Sequence, residues 1–460
     1  MSGPATGDPS RRSRTRRRAE DREIARLAIP AFLALVAEPL FLLGDAAVVG
    51  RLGTGDLAGL GVAGAVMQTA TAVFVFLAYG TTAGVARQLG AGRRDAALGQ
   101  GIDGLWLAVA IGVPTTVVVA VLAEPLVGLF GASATVAGPA VDYLRVAAIG
   151  ITPLLLLLAA TGVLRGLQDT RTPMIVAIAG NGLNLVLNVV LVFGLGPIPA
   201  LGIAGSALGS VLAQSPCAAV LVVIVARAAH GEGTALRPRA AGIRAAGRAG
   251  VPLLVRTLTL RASLLVTTYA VVLGAGSGGG ADEVPIATHQ LATTLWSFLA
   301  FTLDAIAIAA QAITGRYLGA GDVAATRAVT DRMVWWGAVS GVVTGLALAA
   351  LAPWLGALFT PDAAVQDALV PVLIVAALAQ PVAGVVFVLD GVLIGAGDGR
   401  YLAWAGLAVL AGYAPVVLLV AALGSPLPGL WVVFGVLFMG GRFLTLVHRS
   451  RGDAWLVTGA

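Results

Sequence analysis

Cysteine and histidine are almost missing from this 460-residue chain. The one cysteine, Cys217, sits inside an apolar run, which excludes an intrachain disulfide and a multi-cysteine metal site. Three histidines, His230, His289 and His448, stand far apart and show no ligand spacing. No Ser/His/Asp grouping can be assembled from them, and no Walker sequence is present to cradle a phosphate. An enzyme, direct drive by ATP, a bound metal and a cofactor are therefore all unexpected. Charge is scarce too. Only 11% of residues are charged against 58% hydrophobic, and the mean hydropathy of +0.93 excludes an ordinary soluble domain. The apolar runs do not alternate with polar residues, which excludes a membrane β-barrel. A pI near 10.2 would suit nucleic acid, but the arginines fall almost wholly between the apolar runs, so no nucleic-acid partner is expected.

What is present is a succession of apolar segments, at roughly 24–50, 57–80, 98–122, 137–160, 172–195, 202–227, 246–274, 285–313, 330–352, 365–394, 401–423 and 429–448. Each approaches or exceeds the ~20 residues that cross a bilayer as a helix. Arginines such as Arg87, Arg93, Arg165, Arg227, Arg316 and Arg400 follow the even-numbered segments, whereas the odd-numbered ones are followed by little beyond Arg51. By the positive-inside rule both termini are cytoplasmic. Residues 1–22 are basic and lack an apolar core, so they are no cleavable signal peptide. They are expected to form a disordered cytoplasmic arm that fixes orientation and touches membrane lipids.

The chain also repeats itself. LGAGRRDAA from Leu89 returns as LGAGDVAA from Leu318; Phe130 in LVGLFGASA is matched by Phe359 in WLGALFTPD; TGVLRGLQD from Thr161 returns as DGVLIGAGD from Asp390. All three pairs share one offset, 229 residues. Six spans per half is an even number, so both halves insert in the same direction. The expected fold is an all-α polytopic membrane protein, twelve transmembrane helices in two six-helix bundles related by a pseudo-two-fold along the membrane normal. The divisions are 1–22 (arm), 23–227 (N-lobe), 228–245 (cytoplasmic linker), 246–449 (C-lobe) and 450–460 (cytoplasmic tail).

Polar residues inside the spans are the candidates for function. Glu38 and Asp45 lie two helical turns apart in the first span, on one face, with Pro39 between them. An ionisable group at membrane depth costs at least about 2.5 kcal/mol, so it faces a protein interior or a water-filled path. Pro30 and Pro39 mark where that helix bends. In the fifth span Asn181, Asn184 and Asn188 form a stripe at i, i+3 and i+7 that points into the bundle. Ser210 and Gln214 in the sixth span complete a possible polar pocket, or all of these serve as interhelical glue. The second half is polar elsewhere, at Arg256, Arg261, Asp304 and Asp390. These either line a substrate path or satisfy one another as Arg–Asp pairs across helices. Arg145 is a further candidate partner for a buried carboxylate.

With LLGDAAVVGRLG around Asp45, the LGAG segment after the second span, LRGLQDTRTPM after the fourth, and GLNLVLN followed by GSALGS, the chain resembles the multidrug and toxic compound extrusion (MATE) family, its DinF-like branch in particular. The likeness runs from Ile24 to about Arg449. It implies a V-shaped twelve-helix antiporter of the plasma (inner) membrane that exports small organic compounds, in exchange for protons or sodium, as a monomer. Asp45 looks like the family's first-helix cation-coupling aspartate, Asn184 like its fifth-helix asparagine, and Ser210 stands where a threonine is common. Glu38 occupies a position that is often glutamine. Asn188 stands where family members often carry an aspartate, and the loss of that acid leaves Asp45 as the protonatable group and favours a proton over sodium. The seventh-helix acid of NorM-like members is not evident, while Asp304 and Asp390 fit the DinF-like branch. Two rival readings are an organic-anion exporter, with Arg261 meeting a carboxylate, and a flippase for a lipid-linked precursor.

Overall fold

A computed structural model describes residues 9–131, 133–276 and 283–459. The described residues build twelve helical spans: α1 (Pro9–Val49), α2 (Thr54–Gly90), α3 (Arg94–Val121), α4 (Ala134–Ile149 with Ile151–Gly166), α5 (Arg171–Phe193), α6 (Gly202–Gly231), α7 (Ala240–Gly276), α8 (Glu283–Gly319), α9 (Val323–Phe359), α10 (Ala363–Gly395), α11 (Gly399–Ala422) and α12 (Leu427–Arg451). α4 bends by 47° at Gly150, and α12 contains a π-helical turn over Phe434–Met439. α1 runs through both Pro30 and Pro39 without ending. Residues 9–22 depart from expectation: they are the first turns of α1 rather than a disordered arm. Asp21 within this stretch and Glu23 just after it tie it to the second bundle. Asp21 accepts from Arg332 at 2.6 and 2.8 Å and from Trp336 at 2.8 Å, and Glu23 pairs with Arg316. The rest of the arm, residues 1–8, lies outside the described residues.

The repeat is visible in how the helices end. The turns after α2 and α8 each use a left-handed glycine, Gly92 (φ 73°) and Gly321 (φ 76°). The turn after α10 uses Gly397 (φ 75°), and its counterpart after α4 is Gln168 (φ 66°), the one non-glycine residue with positive φ among the described residues. That conformation costs a side chain about 1–2 kcal/mol. Gln168 is held there by its amide, which donates to the carbonyl of Ala312 in the other bundle at 2.9 Å.

The two bundles meet on their pseudo-symmetry axis at the ends of α2 and α8. A Cβ on Gly90 would collide with the carbonyl of Arg316, and one on Gly319 would collide with the carbonyl of Arg87. These contacts are reciprocal under the 229-residue offset, as an isologous crossing requires. Arg87 then holds the chain's last described turn. Its guanidinium donates to the carbonyls of Ala396 (2.6 Å), Val457 (2.5 Å) and Gly459 (2.9 Å), while the Gly459 amide donates to Leu318 (3.1 Å). Symmetry stops there, for Arg316 turns to Glu23 instead.

Candidate functional site

The first bundle encloses a cavity of about 620 Å³, and the described residues lining it all belong to α1–α6. Its walls are largely apolar (Leu42, Leu57, Leu60, Met67, Leu154, Leu157), and among the described residues its one acidic or basic side chain is Asp45. Asn181, Asn184, Ser210 and Gln214 line it too, together with Tyr143 and Cys217. The stripe on α5 thus faces inward, as lipid could satisfy none of its amides.

Asp45 is 3% exposed. Its Oδ1 accepts twice, from the Asn188 amide at 2.6 Å and from the Ser206 hydroxyl at 2.5 Å. Both donors bear on one oxygen, and Oδ2 has no donor among the described residues. Asn184 donates to Ser210 at 3.0 Å, one helical turn away. The carbonyl oxygens of both Asn184 and Asn188 are buried without a partner among the described residues. No arginine among them pairs with Asp45. The Glu38 side chain lies outside the described residues. Arg145 meets a carboxylate, Glu124 at 2.7 Å, but on an exposed rim rather than inside the bundle.

Ser206 is the contact that sequence reasoning missed. It and Ser210 sit four apart in GSALGS, on one face of α6; Ser206 meets Asp45 on α1 and Ser210 meets Asn184 on α5. Which hydroxyl reaches Asp45 depends on the relative depth of α1 and α6, which the pattern does not encode.

In the second bundle Asp390 is held differently. Asp390 forms an ion pair with Arg256 and lies 3.5 Å from Arg442. Arg442 was not anticipated. Arg256 also lies over the Tyr79 ring, 5.7 Å from its centroid, which reaches across to the first bundle. Of the two alternatives open for Arg256 and Asp390, the cross-helix pair is the arrangement found. Asp304 is half-buried and has no ion pair within 4 Å among the described residues. Arg261 is exposed, five residues from Arg256, and bonds to none of these groups. No cluster of three or more His, Cys, Asp or Glu side chains able to hold a metal occurs among the described residues.

A comparison with known proteins decides the lineage. The MatE family profile matches residues 30–190 and 260–419, two stretches one repeat apart that together cover more than half the chain. The chain belongs to the MATE family. Protein DETOXIFICATION 44, chloroplastic, of Arabidopsis thaliana is 30% identical over 94% of this chain and 81% of its own length. DNA damage-inducible protein F of Escherichia coli (strain K12) is 27% identical over 95% and 94%. Among solved structures, the Vibrio cholerae MATE transporter VcmN in its bent form superposes with a TM-score of 0.84, at 21% identity, over 96% of this chain and 99% of that one. The MATE chain described here is a multi-pass membrane transporter and not an enzyme.

Proposed function

We propose that this MATE protein is a secondary active antiporter that exports small organic compounds in exchange for protons, and that Asp45 carries the exchanged proton. The observation behind this reading is a buried carboxylate in a cavity wall with amide and hydroxyl donors but no cationic side chain beside it among the described residues. Burying such a charge is costly unless it is neutralised. A proton neutralises it, and so does a cation entering the cavity, so the two compete for one group. Competition of this kind is coupling, provided the two conformations of the protein weigh the ligands differently. The volume of about 620 Å³ lies within the range of drug-sized ligand sites, and the apolar walls suit an amphipathic organic cation.

Orientation follows the arginine distribution and makes the α2–α8 crossing the cytoplasmic end, in the plasma membrane. That end is closed in this conformation, and alternating access requires it to part. Opening would break the bonds of Arg87 to the tail and of Gln168 to Ala312 together, with Pro30 and Pro39 letting α1 follow.

A sodium ion is the second reading, favoured by one observation. The carbonyl oxygens of Asn184 and Asn188 have no partner among the described residues, Asn188 bonds the carboxylate directly, and oxygen is the donor a hard cation takes. The anion-export reading needs Arg261, which is exposed and is not among the residues lining this cavity, while Arg256 and Arg442 are both engaged by Asp390. The test is flux of a fluorescent organic cation in proteoliposomes under a pH gradient alone and a sodium gradient alone. Flux with the pH gradient, lost in Asp45→Asn, is expected. Flux with sodium only would replace the proton in this account, and flux with neither would overturn it in favour of anionic substrates.

A further inference from the structure

The transport site does not use a second cavity, of about 470 Å³, between α9, α10 and α12 near the end of the molecule where the tail lies. Its inner walls are apolar, from Val334, Val385, Leu389, Phe443 and Val447. Its rim is charged but not self-satisfied. Arg327 is taken by Asp453, whereas Asp331 and Arg451, both exposed, line the cavity without an ion pair among the described residues. Thr330 also lines it, 5% exposed, and its hydroxyl has no hydrogen-bond partner among them. An unpaired cation and an unpaired anion among the described residues, with a buried, orphaned hydroxyl lining an apolar slot, point to the ligand. It carries an anionic group and a cationic group a few bonds apart, joined to hydrocarbon.

We propose that this cavity binds the headgroup of an aminophospholipid. Phosphoethanolamine is the matching chemistry: the phosphate meets Arg451, the ammonium meets Asp331, the ester region reaches Thr330, and the acyl chains run along Val334, Val385 and Phe443. A carboxylate selects for N–H donors, because a charge-assisted hydrogen bond to it is worth more than contact with a charge that cannot donate. Phosphatidylcholine has the same charges but no N–H. Phosphatidylglycerol has no cation, and Asp331 repels it. The apolar walls favour the membrane lipid over free glycerophosphoethanolamine, which would leave them unfilled.

The experiment is lipid titration of the delipidated full chain in detergent, read by native mass spectrometry and by thermal shift. Phosphatidylethanolamine is expected to bind about tenfold more tightly than phosphatidylcholine or phosphatidylglycerol. Asp331→Asn should erase the preference over phosphatidylcholine, and Arg451→Gln should weaken both zwitterionic lipids. Val385→Trp fills the slot without touching a charge and should abolish binding, which covers the case of a charge variant that folds poorly. Equal binding of the three lipids, a preference that survives Asp331→Asn, or glycerophosphoethanolamine binding as tightly as the lipid would each overturn the proposal.

Discussion

Asp45 in the first bundle and Asp390 in the second, two buried acids in halves built from one repeat, are held in opposite ways. In the first, Asp45 has donors that stabilise a carboxylate without neutralising it, and it opens on a cavity. In the second, Asp390 is held by Arg256, with Arg442 3.5 Å away. An acid among amides can exchange one cation for another, whereas an acid locked to a guanidinium cannot do so without leaving that guanidinium bare. The duplication supplied the same scaffold twice, and the placement of arginine sets these two acids apart.

The sharpest way to break this contrast is to exchange the roles. Asp45→Asn should reduce proton-driven efflux to background while leaving the fold intact, because an amide keeps the shape and removes only the titration; circular dichroism and proteoliposome flux measure both. Asp390→Ala should do the reverse. It strands Arg256, an error that costs about 3–5 kcal/mol in a buried pair, so the expected loss is in thermal stability, with the pH profile of any residual transport unchanged. A third test concerns the closed end. Arg87→Ala removes the bonds to Ala396, Val457 and Gly459, each contributing about 1 kcal/mol, and should shift the population toward a conformation parted at α2 and α8. Spin-label distances between those two helix ends, in a Cys217→Ala background, would read the shift. The smallest effect is expected at Asp21, which precedes the first apolar span. The bonds from Arg332 hold its carboxyl below the usual carboxylate value. Its contribution to stability is therefore present above about pH 4 and is lost as pH falls through the lowered folded-state value. Wild type should melt above Asp21→Asn at neutral pH, and the two should converge in acid.

Much of this was legible from the chain alone, for reasons that differ by feature. Helix number followed from apolar runs, and the paired bundles followed from the 229-residue offset. Asp45 and the α5 stripe stood out because carboxylates and amides are expensive in lipid wherever they sit. Contacts that depend on relative helix depth were not legible. Ser206 rather than Ser210 reaches Asp45, and Arg442, not Arg261, is the second arginine at Asp390. The hold of Arg87 on Val457 and Gly459 falls on backbone carbonyls, which leave no trace in residue identity. Gln168 is a related case. Its left-handed turn is announced by glycine in the repeat, at Gly397, but not by glutamine.

The most direct test of the contrast is proton release on substrate binding, followed with a pH indicator in weakly buffered detergent solution as a cationic substrate is added. The account predicts release from wild type and from Asp390→Asn, and none from Asp45→Asn. Release that persists without Asp45, or that vanishes with Asp390, would contradict it.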